Sequence, residues 1–265
     1  MAPKLLSITV IAICFYTLNA KAQFKINSRM IDAATKGFKA LTFSDADAVK
    51  LAKDGVAWMD KNNKVADPKD PYTIRLNKIF GNHKNEDGLT LNYKVYVVKD
   101  INAFACADGS VRVFSSLMDI MTDEELLAII GHEIGHVKNH DTRDAVKTAY
   151  TRAAIADAAA SQSGTIATLN DSQLGEFANA FLESKHSRKQ ESEADIYSYE
   201  FLKRHNYDVM AEASAFNKFA KMEKEAGEKS TAQKMFSSHP DSKKRAETII
   251  AKAKKDGLYK EPAKN

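Results

Sequence analysis

Residues 122–140 read TDEELLAIIGHEIGHVKNH. Thr122 followed three residues later by Glu125 is a pattern in which a cap side chain and a first-turn carboxylate satisfy each other's free N–H groups. Asp123 and Glu124 favour the positive end of the helix dipole. Leu126, Leu127, Ile130, Ile134 and Val137 then recur at helical spacing, so the stretch predicts an amphipathic helix with a defined start. His132 and His136 are four apart and therefore share one face of that helix, with side-chain roots about 5–6 Å apart. Two imidazoles so placed can hold one metal ion from the same side. Glu133 is turned about 100° from His132, so its carboxylate can reach a water on that ion without being a ligand. A zinc ion brings the pKa of such a water to about 7, the carboxylate takes the proton, and the hydroxide attacks a polarised carbonyl. This is the working of an H-E-x-x-H helix.

The rival reading is two surface histidines on an ordinary helix. The apolar setting of the motif argues against it, and so do Gly131 and Gly135. Each glycine in a helix interior costs about 1 kcal/mol relative to alanine. Two of them predict that another segment approaches this backbone closely. Two ligands from one helix leave a tetrahedral ion open, so a third must come from elsewhere, with water fourth. His140 lies two turns beyond His132, about 12 Å along the axis, too far to share the ion. It is assigned to the surface or to a supporting role. A second stretch, SRKQESEADIYSYEF at 187–201, offers Glu191 and Asp195 four apart on a predicted helix. Glu191 can complete a His-His-Glu site, Asp195 can accept the free ring N–H of a ligating histidine, and Ala194 would let this helix approach another. The bland alternative is an exposed acidic face, with Glu193 and Glu200 nearby.

Together, TDEELLAIIGHEIGH and SRKQESEAD resemble the zinc endopeptidase family of the heat-shock protease HtpX and the CAAX prenyl endopeptidases. The resemblance implies one zinc ion per chain on His132, His136 and Glu191, the last being the glutamate that opens the family's E-x-x-A-D motif. It implies Glu133 as general base and acid, and Asp195 as partner of a ligand. NYKVYVVKDINAFACADGSVRVFSSLMDIMTDEEL matches the family segment before the zinc helix. An extended peptide would pair there, at Asn102, Ala103 and Phe104, by adding a strand to the sheet edge. SSHPDSKKR resembles the family's late H-P-x-x-x-x-R element and carries over to His239 and Arg245. That histidine is implied either as a stabiliser of the oxyanion or as a removable extra metal ligand, and the arginine as an anchor of its loop. The resemblance spans about 30–245 and is closest to the soluble, envelope-located branch of the family.

The rest of the chain frames this reading. It has 265 residues, 44% hydrophobic and 28% charged, with two cysteines, Cys14 and Cys106. Residues 5–18, LLSITVIAICFYTL, follow a charged MAPK and precede Ala20 and Ala22. This is the three-part pattern of a secretory signal peptide, with cleavage expected after Ala22. An uncleaved anchor is the alternative. A lipid-modified Cys14 is disfavoured by the bulky Ile13 before it. Removing Lys4 and Lys21 from 39 basic residues leaves 37 against 35 acidic ones, a net charge of about +2. With so small an excess and no arginine-rich or aromatic-interleaved stripe, nucleic-acid binding is excluded as a leading function. Only Cys106 would remain, read as a small buried hydrophobe on a strand.

Helix is predicted from about 28 to 63, with SDAD at 44–47 as a start, and again in TIRLNKIFGNH, ended by Gly81 after a break at two prolines. Residues 91–100 alternate as a strand, and 102–116 read as two strands around a turn at Asp108 and Gly109. Helix is expected after Asp141 to about 161, as one or two pieces over 171–205, over 208–226, and from about Asp241 onward. GEKSTAQKMFSSHP is expected as a loop. The fold class is α+β and mostly helical, a zincin-like domain spanning 23–255 with one small sheet before the motif helix and a flexible tail at 256–265. The expected function is an exported zinc endopeptidase, periplasmic or membrane-associated on the periplasmic side, with secretion as an alternative, that cleaves unfolded or damaged envelope proteins. Association with outer-membrane or envelope assembly factors is expected alongside, and the oligomeric state is open. Segments around 145–185 and 226–239 are expected to cover the cleft. The alternatives are an envelope assembly or chaperone-like binding protein with a latent or structural zinc site, and a non-proteolytic hydrolase. A purely structural site would have no use for Glu133.

Overall fold

The computed structural model describes residues 43–154, 168–225 and 231–261. The expected signal peptide, the helix expected before residue 43, the alanine-rich run past 154 and the SQSGT stretch lie outside these residues. So do most of GEKST and the last residues of the tail.

Helix α1, Asp45–Asn62, starts at Ser44, whose side chain and Asp47 cap each other reciprocally. Helix α2 is Pro71–Phe80. Its start corrects the expectation that the prolines break the chain: Pro71 sits in the first turn, where its missing N–H costs nothing, behind an Asp70 cap. A ribbon of β1, Asn85–Glu86, and β2, Leu89–Thr90, follows. Its turn places Asp87 and Gly88 at positive φ, the Asp-Gly signature of a two-residue hairpin. The expectation of a single small sheet passed over it, because two-residue strands carry no alternation to read.

The main sheet has β3, Asn92–Tyr96, β4, Ala103–Ala105, and β5, Ser110–Phe114, in the order β3-β5-β4. β5 is central, parallel to β3 and antiparallel to β4. The turn between β4 and β5 closes with Gly109 N–H donating to Cys106 O at 2.9 Å. Gly109 sits at φ 84° with the Thr90 carbonyl against its Cα, which leaves no room for a side chain.

The period of two in these strands divides the core. Val95, Ala103, Ala105, Val111 and Val113 face one apolar cluster, shared with Leu126, Ile130 and Ile134 of the motif helix. Tyr96, Phe104 and Phe114 face a second, shared with α1 and with Val146, Tyr150, Phe177 and Phe181. On that second face Arg112 meets Asp60 of α1 at 2.8 and 3.0 Å, and Lys94 and Tyr96 donate to the same carboxylate.

After the short α3, Ser115–Ile120, come α4, Asp123–Lys138, α5, Asp141–Ala154, α6, Asp171–Leu182, and α7, Arg188–Arg204. Then follow α8, Met210–Glu225, α9, Gln233–Ser238, and α10, Ser242–Lys255. Thr122 and Glu125 form the expected capping box of α4. The expected loop after 226 instead contains α9. Met235 and Phe236 are buried there, Phe236 edge-on to Phe219 of α8, so tertiary burial supplies what six residues lack as an isolated helix. No helix among the described residues is long and apolar enough to cross a membrane.

Candidate metal centre and cleft

The two glycines of the motif mark the contact that builds the site. A Cβ on Gly135 would lie 3.0 Å from the Ala194 Cα and 3.1 Å from its carbonyl oxygen. A Cβ on Gly131 would lie 3.1 Å from the Phe201 ring and 3.3 Å from Ser198 Oγ. Helix α7 is thus the segment that approaches α4, and Ser198 Oγ donates to Ala128 O at 2.8 Å across the seam. The close approach places Glu191 against the two histidines. Glu191 is 2% exposed, which rules out the bland reading of this face, while Glu193 does point to solvent.

His132 Nε2 lies 3.0 Å from His136 Nε2. His136 Nε2 lies 3.3 Å from Glu191 Oε1, and His132 Nε2 lies 3.6 Å from Glu191 Oε2. His239, reached from the end of α9, brings its Nδ1 to 3.3 Å from His132 Nε2 and 3.1 Å from Glu191 Oε1. A tetrahedral zinc with bonds of about 2.0–2.1 Å holds its ligand atoms about 3.4 Å apart. The four side chains therefore fit that ion, two to three nitrogens and one carboxylate converging on one cation-sized space. His140 is exposed, at φ 63° beyond the helix end, and takes no part.

Each member is held from behind. Asp195 Oδ1 lies 2.9 Å from His132 Nδ1. Arg245 donates to both Asp195 oxygens and, at 2.6 Å, to Glu191 Oε2, with its guanidinium 4.1 Å over the Phe216 ring. Arg245, expected to act together with Asp195 behind the ligands and to anchor the His239 loop, makes its bonds to the carboxylates rather than within the loop. It stands in the first turn of α10 and fixes the two carboxylates of α7. Two residues escaped the sequence reading. Asp141 Oδ2 lies 2.9 Å from His136 Nδ1, and the His186 ring stacks on His136 at 3.8 Å. The signal for Asp141 was the helix stop at Asn139 and His140, since the left-handed His140 turns the chain back onto the motif. His186, in the link between α6 and α7, had no periodic signal.

The electrostatics follow burial and these contacts. Burial and the nearby Arg245 charge hold His132 down at about 3, which keeps its ring neutral. Burial pulls His136 the same way, but the bonds to Asp141 and Glu191 outweigh it and raise the ring to about 9. Burial pushes Glu191 up, yet His239 and His136 overcome this and leave it well below the usual carboxylate range. Glu133, with no such partners, is raised by burial. Its Oε1 lies 3.7 Å from His239 Nε2.

Two openings adjoin these groups. One is lined by Asn102, Ala103, Phe104 and Ala105 of the β4 side, by Glu133 and His136, and by Phe181, His186 and Ser238 from the covering segments. The other is an apolar cavity beside His132 and Glu133, lined by Ile129, Phe216, Phe219, Met235 and Phe236. Along β4, Asn102 O and Cys106 N bond to β5, so the register turns the backbone groups of residues 103 and 105 to the edge that no strand pairs, where all three residues of β4 are buried. Ala103 N–H is taken by the Asn102 side chain at 2.9 Å. Cys106 is buried as expected, directly after β4, and burial raises its thiol well above the ordinary range.

Residues 80–253 match the model of Peptidase family M48. The chain is 40% identical to Metalloprotease YcaL of Escherichia coli (strain K12), over 83% of its own length and 85% of that protein. It is 36% identical to Metalloprotease LoiP of the same organism, over 94% of its length and 97% of that protein. It is 30% identical to Mitochondrial metalloendopeptidase OMA1 of Schizosaccharomyces pombe, over 68% of its length and 52% of that protein.

Proposed function

The chain belongs to peptidase family M48 and is a zinc metalloendopeptidase; from that premise we propose that it is exported and cleaves unfolded or damaged proteins of the bacterial cell envelope, with His132, His136 and Glu191 as its zinc ligands. The observation that carries the ligand assignment is the convergence of two ring nitrogens, His132 Nε2 and His136 Nε2, 3.0 Å apart, with the two oxygens of Glu191 at 3.6 and 3.3 Å from them, beside a buried Glu133 that makes no bond to them. Zinc, when bound there, polarises the substrate carbonyl and acidifies a water. Glu133 takes that water's proton on its carboxylate and returns it to the leaving nitrogen, and its raised proton affinity suits it to both steps. Asp195 and Asp141 hold the Nδ1 protons of His132 and His136, which aims both Nε2 lone pairs at the ion. Asn102, Ala103 and Phe104 present the edge on which a peptide adds as a strand, a mode that reads backbone rather than sequence. Export rests on the composition of residues 1–22, and residues 23–255 are read as one peptidase domain.

His239 supports a second reading, in which the site rests in a latent state. Its Nδ1 lies 3.3 Å from His132 Nε2 and 3.1 Å from Glu191 Oε1, where it would serve as a further ligand to a bound ion, and substrate would then enter only when His239 withdraws. After withdrawal, its place beside Glu133 suits it to stabilise the oxyanion. The test is the purified protein beside Glu133→Gln, with metal content measured on both and unfolded casein as substrate. One catalytic zinc in both and cleavage by wild type alone is expected, with turnover falling by about 10²–10⁴-fold in the variant. Zinc in both and cleavage by neither, even after His239→Ala, would move the binding-protein reading ahead.

A further inference from the structure

A second cluster of metal-type side chains stands apart from the cleft. His83 follows α2, Glu86 lies on the β1–β2 ribbon and His205 caps the C-terminal end of α7. His205 is 14 residues along from Glu191, about 21 Å on a helix, so the cluster shares no residue with the zinc centre. His83 Nδ1 lies 2.6 Å and His205 Nε2 3.2 Å from the same atom, Glu86 Oε1. The two imidazole planes cross at 84° with centroids 4.6 Å apart, so the rings approach one point from different directions. One donor atom from each residue falls within 4.8 Å of the others.

Three features favour a cation there. His83 and Glu86 are nearly fully buried, at 2% and 5% exposure, and the His83 ring packs edge-on against Phe80 and Phe201, a dry surrounding that strengthens ligation. The remaining nitrogen of His83, Nε2, lies 2.8 Å from Tyr207 Oη, the outer hydrogen bond that ligating histidines usually make. His205 sits where the α7 dipole presents its negative end. Arg204 reaches Glu86 only at 3.5 Å, on Oε2, while its short bond, 2.8 Å, goes to Asp87, so Oε1 is left to the two histidines. The ribbon also needs a fastening, since two strands of two residues do not hold themselves together.

We propose that His83, Glu86 and His205 form a second metal site, which binds a zinc-class divalent transition-metal ion and staples the β1–β2 ribbon to the end of α7. Two imidazoles and one carboxylate select ions such as zinc over calcium or magnesium. Seating the ion requires the Glu86 carboxylate to swing away from His83 by under about 1 Å, to reach tetrahedral ligand spacing. The site is structural, because two of its three protein ligands, His83 and Glu86, are buried and it shares no residue with the zinc centre.

The test counts zinc. Wild type, Glu86→Gln, His205→Gln and the double variant His132→Ala with His136→Ala are stripped with a chelator, refilled with zinc and desalted. Ions per chain are then counted on the monodisperse fraction. Two are expected in wild type and one in each variant, and the two second-site variants should still cleave casein. The double variant should keep its one ion while losing all cleavage. Should that variant not fold, wild type against Glu86→Gln decides. A single ion in wild type would show that protons alone join these residues, with both histidines donating to Glu86. A second ion that persists in Glu86→Gln and His205→Gln would place it elsewhere. Either result overturns the proposal. Neither touches the zinc centre, which fails separately if the double variant retains cleavage.

Discussion

The two walls of the cleft are built on different principles. The helical wall, α4 against α7, works through side chains: His132, His136, Glu191 and Asp195 repeat every four residues and meet because Gly131, Gly135 and Ala194 let the backbones close. The strand wall, β4, works through its backbone. It is three residues long, two of them alanine, and its register turns the groups of residues 103 and 105 away from β5, the Ala103 N–H being held by the Asn102 side chain. A side-chain wall must hold positions to fractions of an ångström, and every member there has a partner behind it. A backbone wall needs only an open edge and a firm sheet beneath. The lesson is that the chemistry is concentrated on one side and tolerance of substrate sequence on the other, so each can be broken separately.

Gly135→Val should do the greatest damage. Its branched side chain would enter space where the Ala194 backbone already stands 3.0 Å from a Cβ, with no flexible neighbour to give way. We expect a loss of about 1–3 kcal/mol of stability, read as a lower Tm or denaturation midpoint, together with loss of bound zinc. A fully loaded, equally stable variant would mean that the helix seam does not build the site.

Asp195→Asn is a gentler break of the same wall. It keeps the shape but weakens the hold on the His132 ring and on Arg245. Zinc affinity should fall by about 10–100-fold in a competition with a chelator, with the fold retained. Unchanged affinity would reduce Asp195 to a packing residue.

On the strand wall the substrate is the better thing to alter. A peptide N-methylated where its N–H donates to a carbonyl of the β4 edge loses one hydrogen bond worth about 1 kcal/mol, so kcat/KM should drop by about fivefold. The same methylation two residues farther along should have a similar effect, and one placed between them little, because strand pairing alternates. A flat response along the peptide would remove strand addition from the mechanism.

The legibility of the molecule divides along the same line. The Thr122–Glu125 cap, the shared face of the two histidines and the glycines that demand a close neighbour are local consequences of helical period, and each is found where the sequence put it. The β4–β5 turn at Gly109 was equally local. What escaped were short or compensated elements. The β1–β2 ribbon is too brief to alternate, α2 begins at a proline that reads as a break, and α9 exists because Met235 and Phe236 find a core.

By itself the sequence determined the motif helix, its two histidines, the position of Glu133 and the need for a tightly packed partner. Spacing alone left Glu191 undecided between ligand and exposed acidic face, and only the resemblance of its motif singled it out. The tertiary structure decided that Glu191 faces the histidines while Glu193 faces water, that Asp141 stands behind His136, and that Arg245 ties the two α7 carboxylates together. It also brought His239 Nδ1 to 3.3 Å from His132 Nε2 from more than a hundred residues away. The reason is physical: a helix fixes what lies within a turn or two of a residue, whereas contacts between distant segments depend on which faces the whole core buries.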